Sequence, residues 1–263
     1  MISQHNIASY AHWIWNAHSK KGHGIHSPFL FNLITNSLHK PLEGNGFGEI
    51  ELLRKQLECN KTELTISDLG SGSKFAKNGR RTIASVAKHS TSSVSDGRLL
   101  VRLMQTTDAC NVVEVGTCIG LGTSYLAMAA RQGRVTTIEG SAELANVATE
   151  TFKKLNISNV AQMVGDASVK LKELVANADK LDFVFFDANH RSQPTIEYFK
   201  LCLPCVSNNS VFVFDDIHKN ADMEQAWLEI IGNERVTLSL DFYTMGAVFF
   251  RRELSKQNIL LRY

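Results

Sequence analysis

The sequence predicts an α/β fold: a doubly wound, mostly parallel seven-stranded sheet with an antiparallel C-terminal hairpin, plus a helical N-terminal segment. Three observations carry that prediction. From Asp96 onward, near-continuous apolar runs of strand length alternate with helical stretches, the pattern of a parallel sheet covered on both faces. One run, Asn111-Val-Val-Glu-Val, places the acidic Glu114 near its end and leads into a glycine-bearing turn (Gly116, Gly120, Gly122) and a helix. Close to the C-terminus, two apolar runs are joined only by Tyr243-Thr-Met-Gly, too short for a parallel crossover, so this last pair is antiparallel.

In chain order, two regions separate near residue 90: a helical N-terminal segment over 1–90, suited to lid, substrate or dimer contacts, and the α/β domain over 91–263. In the first, Ile7, Tyr10, Ala11 and Ile14 share a helical face, flanked by Trp13 and Trp15. Ser27-Pro28 reads as N-cap and first helical position, with Leu30, Leu33, Ile34 and Leu38 recurring until Lys40-Pro41. Ile50, Leu53 and Leu57 form a third stripe, with Glu51 and Lys55 paired on its outer side. Asp96-Gly97 caps a helix carrying Leu99, Leu100, Leu103 and Met104. The strands are then 112–115, 135–138, 161–164, 183–186, 211–214, 236–240 and 246–250. Helices fill the gaps between the first five, and another spans about 221–231.

Composition narrows the function classes. A net charge of +2 gives no general reason to expect nucleic acid or an anionic membrane as a partner. No apolar run approaches the roughly 18 residues of a membrane-spanning helix. Met1-Ile-Ser-Gln-His-Asn-Ile lacks the sections of a signal peptide, and five scattered cysteines argue against a disulfide framework, so a cytoplasmic location is expected. Cys202-Leu-Pro-Cys205 is read as packing.

The glycine turn decides the ligand. A dinucleotide fingerprint needs G-x-G-x-x-G, whose second glycine lets the backbone approach a pyrophosphate. Here the order is G-x-x-x-G-x-G and Cys118 stands where that second glycine would be, which speaks against a nicotinamide oxidoreductase. A carboxylate at Glu114 repels phosphates but suits a ligand with an ammonium and a sulfonium, such as S-adenosyl-L-methionine. The next strand ends in Glu139-Gly140, placing a second carboxylate where it can accept both ribose hydroxyls. Val164-Gly165-Asp166-Ala167 follows a third strand; Asp166 is positioned to accept the adenine amine, to cap the following helix, or both.

This order of motifs, completed by Phe185-Phe-Asp187-Ala-Asn-His190 and Phe214-Asp215-Asp216, resembles the class I S-adenosylmethionine-dependent methyltransferases. It is most similar to the small-molecule O-methyltransferases of the catechol and caffeoyl-coenzyme A type, over about 96–251. The resemblance implies a Rossmann-like domain, a small-molecule acceptor, and a Mg2+ or other divalent ion held at Asp187, Asp215 and Asp216. Asp187 matches the family's first metal aspartate and Asp215 its second. Asp216 stands where the family has asparagine, and His190 where it has a lysine acting as base. Three carboxylates at adjacent strand ends need a cation, a proton or water to coexist. With an ion, His218 is a further candidate near it. Without one, His190 or His218 acts as general base, oriented by Asp216, because an imidazole pKa of about 6.5 suits proton removal near neutrality. The cofactor set is therefore Glu114, Gly116, Cys118, Gly120, Glu139, Gly140, Asp166 and Asp187, and the catalytic candidates are His190, Asp216 and His218.

Other features are weaker. Ile66-Ser-Asp-Leu-Gly-Ser-Gly-Ser-Lys74 imitates the glycine motif without the helix that should follow, and reads as a loop whose cations (Lys74, Lys77, Arg80, Arg81) are solvated or grip an acidic acceptor. His12, His18, His23, His26 and His39 lack the i, i+4 pairing of a zinc helix. The aromatics of 10–15 suit core or homodimer packing better than a membrane surface. Methylation at nitrogen, or cofactor binding without turnover, remain the alternatives to an O-methyltransferase.

Overall fold

The computed structural model describes residues 4–18, 25, 27–39, 41–42, 46–66, 79–107 and 109–263. The N-terminal part holds α1 (Gln4–Asn16), α2 (Pro28–Asn32) running into one π-helical stretch (Leu33–Ser37), and α3 (Gly46–Leu57). Ser27 caps α2 through its hydroxyl, which accepts the Leu30 N–H, and Pro28 follows at the first helical position, as the sequence predicts. A two-stranded antiparallel sheet, β1 (Glu63–Thr65) and β2 (Arg80–Thr82), then leads into α4 (Ile83–His89) and α5 (Val94–Met104). That small sheet and α4 were not expected, because three-residue strands carry too little periodicity to be read. The cap of α5 is Ser93 rather than Asp96. Asp96 sits at the third helical position and completes a capping box by accepting from the Ser93 backbone. The expected Glu51–Lys55 pair is likewise replaced: Glu51 meets Arg98 of α5 at 2.5 Å.

The main sheet is built from β3 (Asn111–Val115), β4 (Arg134–Glu139), β5 (Val160–Val164), β6 (Leu181–Phe186), β7 (Val206–Asp215), β8 (Leu238–Asp241), β9 (Met245–Phe249) and β10 (Gln257–Leu260). Their order is β10-β8-β9-β7-β6-β3-β4-β5, with β9 antiparallel to both its neighbours and every other pairing parallel. Among the described residues the sheet thus has eight strands where seven were expected. The addition, Gln-Asn-Ile-Leu, is short and half polar, and it pairs with β8 at the edge of the sheet. Between the strands lie α6 (Leu121–Ala129), α7 (Ala142–Lys154), α8 (Ala167–Val175), α9 (Ser192–Cys202) and α10 (Ala221–Gly232). The chain runs outward from β3 through β4 to β5, then crosses to β6 and β7 on the other side. The topological switch point, where open α/β sheets bind ligands, therefore lies at the carboxyl ends of β3 and β6.

The apolar strands are continuous because both faces are covered. Phe183 and Phe185 of β6 face a core that holds Leu99, Leu100 and Leu103 of α5 together with Leu30, Leu33, Ile34 and Leu38. Val184 and Phe186 face the opposite core, with Tyr198 and Phe199 of α9 and Trp227 and Ile230 of α10. Cys202 and Cys205 are buried free thiols, and Cys205 packs against the Val175 and Ala178 carbonyls. Among the described residues no helix is long and apolar enough to cross a membrane.

Candidate active site

Glu114 lies beneath the glycine turn, almost fully buried at 1% exposure. The β3–β4 register sets it beside Thr137, whose hydroxyl donates to Oε2 at 2.6 Å, and Thr123 of α6 donates to the same oxygen. Burial pushes its pKa up to about 7 against those two hydroxyls, and the charge of Glu139 raises it further. The turn above it depends on backbone that most residues avoid. Gly116 has φ +111°, and a Cβ there would stand 2.2 Å from the Asp187 carbonyl oxygen, so β3 and β6 approach closely only because it is glycine. Gly120 has φ +81°, and a Cβ would strike the Phe152 ring at 2.7 Å. Cys118, between them, also adopts a positive φ of 51°. Its half-buried thiol is pushed far up in pKa, first by desolvation and then by Glu139 and Asp187, which leaves it a poor nucleophile.

Glu139, at the end of β4, ties this turn to the next. Its Oε2 accepts the Cys118 N–H at 2.7 Å and its Oε1 the Ser141 N–H at 2.9 Å, bracketing Gly140. Past β5, Asp166 accepts the Val169 N–H at 3.1 Å and so does cap α8. Val164 and Val169 flank it as exposed apolar side chains at the same rim.

The second half of the site sits at the tips of β6 and β7. Phe186 and Phe214 are partners in register, so Asp187 and Asp215, one residue on, stand side by side and share a hydrogen bond. Burial, then the charge of Asp215, raises Asp187 well above the carboxylate range. Asp215 is pushed up to about 7 by burial and by Asp216. The Ser92 hydroxyl donates to Asp187 Oδ2 at 3.4 Å. His190 is folded back over the pair by two successive left-handed residues, Asn189 (φ +65°) and His190 (φ +42°), each an unfavourable conformation costing about 1–3 kcal/mol. The bend is pinned where Asn189 Nδ2 donates to the Tyr198 hydroxyl at 2.5 Å. Burial holds the His190 pKa below the ordinary histidine value, although Asp216 opposes this.

Two expectations need correction here. The side chains that converge on one point are Asp187, His190 and Asp215, whose ligand atoms all lie within 4.8 Å of one another. Asp216 is not in that group. Its backbone is left-handed (φ +56°), and the carboxylate turns to Lys219 Nζ at 2.6 Å and His190 Nδ1 at 3.4 Å. Nor does either aspartate cap α10; Asn220 does. His218 is not placed as a base. Its Nδ1 meets Glu224 and its Nε2 meets Asp241, both at 2.8 Å, so both nitrogens are taken by carboxylates. Burial disfavours its charge, but Asp241 and Glu224 outweigh that and raise its pKa.

Of the weaker features, Arg81 is buried and donates to the Ser90 hydroxyl and the Ser85 carbonyl, so it is not a solvated loop cation; Arg80 lies exposed on β2. Residues 67–74 of the imitation glycine motif, Lys77, His23 and His26 lie outside the described residues. His39 stacks on Tyr263 and His18 bridges to Leu261. Trp13 is buried while Trp15 is 88% exposed. Sequence reasoning missed Ser92, Thr123, Thr137 and Asn189. For Thr137 a signal existed, since its position two residues before Glu139 puts it on the same side of β4.

Residues 113–217 match the family model described as a methyltransferase domain. Catechol O-methyltransferases of Niastella koreensis and Mycobacterium tuberculosis are each 30% identical to the chain, over 128 and 127 residues. Those alignments cover 48% of this chain and 57% and 56% of the relatives, so the chain spans little more than half the length of the curated relatives it matches. Among solved structures, the Bacillus cereus O-methyltransferase in complex with SAH superposes with a TM-score of 0.56 at 20% identity, covering 79% of this chain and 92% of that one. The SAH-bound Podospora anserina methyltransferase PaMTH1 superposes at 0.59 and 14% identity, covering 95% and 97%. At these identities the likeness establishes a shared fold, the Rossmann-like one that the motif order predicts.

Proposed function

We propose that this chain, which carries a methyltransferase domain over residues 113–217, moves the methyl group of S-adenosylmethionine to an oxygen of a small-molecule acceptor. One observation carries the reading: two carboxylates on neighbouring strand ends bracket a single glycine turn, Glu114 buried below it and Glu139 bonded to its Cys118 N–H. That arrangement suits a cation and a diol, and it repels a diphosphate. In this reading the methionine ammonium lies toward Glu114, the ribose hydroxyls toward Glu139, and adenine packs on Val164 and Val169 beside Asp166. The sulfonium methyl then points to the tips of β6 and β7, where Asp187, His190 and Asp215 receive the acceptor.

Methyl transfer from a sulfonium needs little covalent help, so alignment for in-line attack supplies most of the acceleration. The chain's own residues hold the acceptor oxygen, exclude water and take up one proton. The names of the curated relatives support oxygen as the atom methylated, and the SAH-bound neighbours support the cofactor. The free cysteines suit a reducing cytoplasm. Calorimetry with S-adenosylhomocysteine, followed by a labelled-methyl assay on metabolite extracts, tests the proposal. Saturable binding and a labelled small molecule are expected; absence of binding at millimolar ligand would sink it.

A further inference from the structure

We infer that Arg54 of α3 is a positioning residue for the methyl-transfer site: its guanidinium locks the turn between α4 and α5, and the locked turn holds the Ser92 hydroxyl at the seam between Glu114 and Asp187. The inference rests on the proposed cofactor reading and gives the N-terminal segment a part in it.

Two observations define the seam. Ser92 Oγ donates to Asp187 Oδ2 at 3.4 Å, which ties the turn to the tip of β6. On its other side, a Cβ built on Gly122 would stand 3.1 Å from Glu114 Oε1 and 3.6 Å from Ser92 Oγ, so one small space opens onto both groups. Glu114 Oε2 accepts the Thr123 and Thr137 hydroxyls, which leaves Oε1 facing that space. A ligand ammonium drawn to Oε1 therefore comes beside a hydroxyl that can accept from it or donate to a neighbouring carboxylate.

The placement of that hydroxyl depends on α3. Residues 90–93 are all that joins α4 to α5, and side chains from outside this link set its shape. Arg54 Nη1 donates to the Thr91 hydroxyl at 2.8 Å and to the Ala87 carbonyl at 3.4 Å, and Nη2 donates to the Ser92 carbonyl at 2.5 Å. The planar fork of an arginine fixes three acceptors relative to one another, which the single ammonium of a lysine does not. The ends of the link are held as well. Arg81 donates to the Ser90 hydroxyl at 2.8 Å, and Ser93 belongs to the capping box of α5.

Stability alone is a poor reason for this arginine. Its Nε is buried and meets no acceptor among the described residues, and its three acceptors are neutral oxygens. An unpaired buried donor weakens a fold. What Arg54 places explains it better than what it stabilises.

The test measures S-adenosylhomocysteine binding by calorimetry on the full native chain, Arg54→Met, Ser92→Ala and the double variant, with the melting temperature of each. Each single substitution should weaken binding roughly tenfold, the size of one lost hydrogen bond to a charged group. The double variant should be no weaker than the weaker single one, because both act through the same hydroxyl. A merely structural arginine would lower the melting temperature and leave the two losses additive, and that result overturns the inference. Unchanged affinity in either folded single variant overturns it too. Ser92→Ala deletes one hydroxyl that caps no helix, so its result stands even if Arg54→Met fails to fold. Arg54→Lys, which keeps the charge without the fork, should behave like Arg54→Met and then completes the cycle. A native chain that binds no S-adenosylhomocysteine would instead defeat the cofactor reading, whereas native binding that these substitutions leave intact defeats the positioning role alone.

Discussion

At the scale of single residues, Glu114 makes the most informative prediction. Burial raises its pKa to about 7, so near neutrality the apo protein holds a mixture of carboxylic acid and carboxylate. A ligand ammonium nearby favours the carboxylate, and binding must therefore expel a proton from the fraction still protonated. Affinity for S-adenosylhomocysteine should rise as pH climbs toward and through about 7, then level off. Calorimetry in buffers of different ionisation enthalpy should count the released proton. In Glu114→Gln both effects should vanish along with most of the affinity, and a native profile flat across this range would refute the assignment. Gly116 makes a second prediction, of a steric kind. Gly116→Ala drives a Cβ to 2.2 Å from the Asp187 carbonyl oxygen, and neither backbone can yield without moving the tips of β3 and β6 apart. Loss of cofactor binding with a lowered melting temperature is expected, whereas Gly48→Ala, which meets nothing within 4 Å, serves as the silent control.

Among the elements, α1 is the one whose attachment depends on charge. Ser9 donates to Glu224 Oε1 at 2.5 Å, Trp13 Nε1 donates to the Asp241 carbonyl at 3.1 Å, and Tyr10 meets Tyr243 edge-on, while His218 stacks on Tyr243 and lies between the two carboxylates. Deprotonating His218 leaves one nitrogen lone pair facing a carboxylate, at a cost of about 1.5–3 kcal/mol for a lost charge-assisted hydrogen bond. Because its folded pKa is raised, this stabilisation is complete below the ordinary histidine value and fades as pH rises through the raised one. Hydrogen-exchange protection of α1, corrected for the intrinsic exchange rate at each pH, should accordingly fall on the alkaline side, and His218→Gln should show low protection at every pH. Protection unchanged between about pH 6 and about pH 9 would remove His218 from that role. This clamp also marks the limit of what the sequence disclosed. The strand–turn–helix rhythm, the glycine turn with its two glutamates and the acidic tips of the fourth and fifth central strands were legible, because period and local order encode them. The partners of His218 were not, since Glu224 lies across a turn and Asp241 on another strand, and only tertiary packing brings them to the imidazole. Asp216 parts from Asp215 for a related reason: sequence adjacency suggested a shared metal role, yet a left-handed backbone turns its side chain toward Lys219 and the His190 imidazole.

For the whole molecule the question is whether the helical N-terminal segment melts apart from the sheet. Leu30, Leu33, Ile34 and Leu38 are buried in the same apolar cluster as Phe183, Phe185, Val211 and Val213 of the central strands, with no polar layer between. The chain ends are joined as well: the His18 N–H donates to the Leu260 carbonyl at 2.8 Å, extending the β10 edge with residues from just beyond α1. Removing a side chain from this shared core should therefore weaken both parts together. Ile34→Ala is expected to cost about 2–5 kcal/mol. At roughly 2–4 °C per kcal/mol for a chain of this size, it should lower one common melting transition. Trp13 on α1 and Trp227 on α10 lie on different elements and offer separate fluorescence probes once the other tryptophans are replaced by phenylalanine. Coincident midpoints for the two probes, shifted equally by Ile34→Ala and raised equally by S-adenosylhomocysteine, are expected of a single cooperative unit. Two separated transitions, with only the Trp13 signal moved by the substitution, would instead mean that the N-terminal helices rest on the sheet without sharing its core.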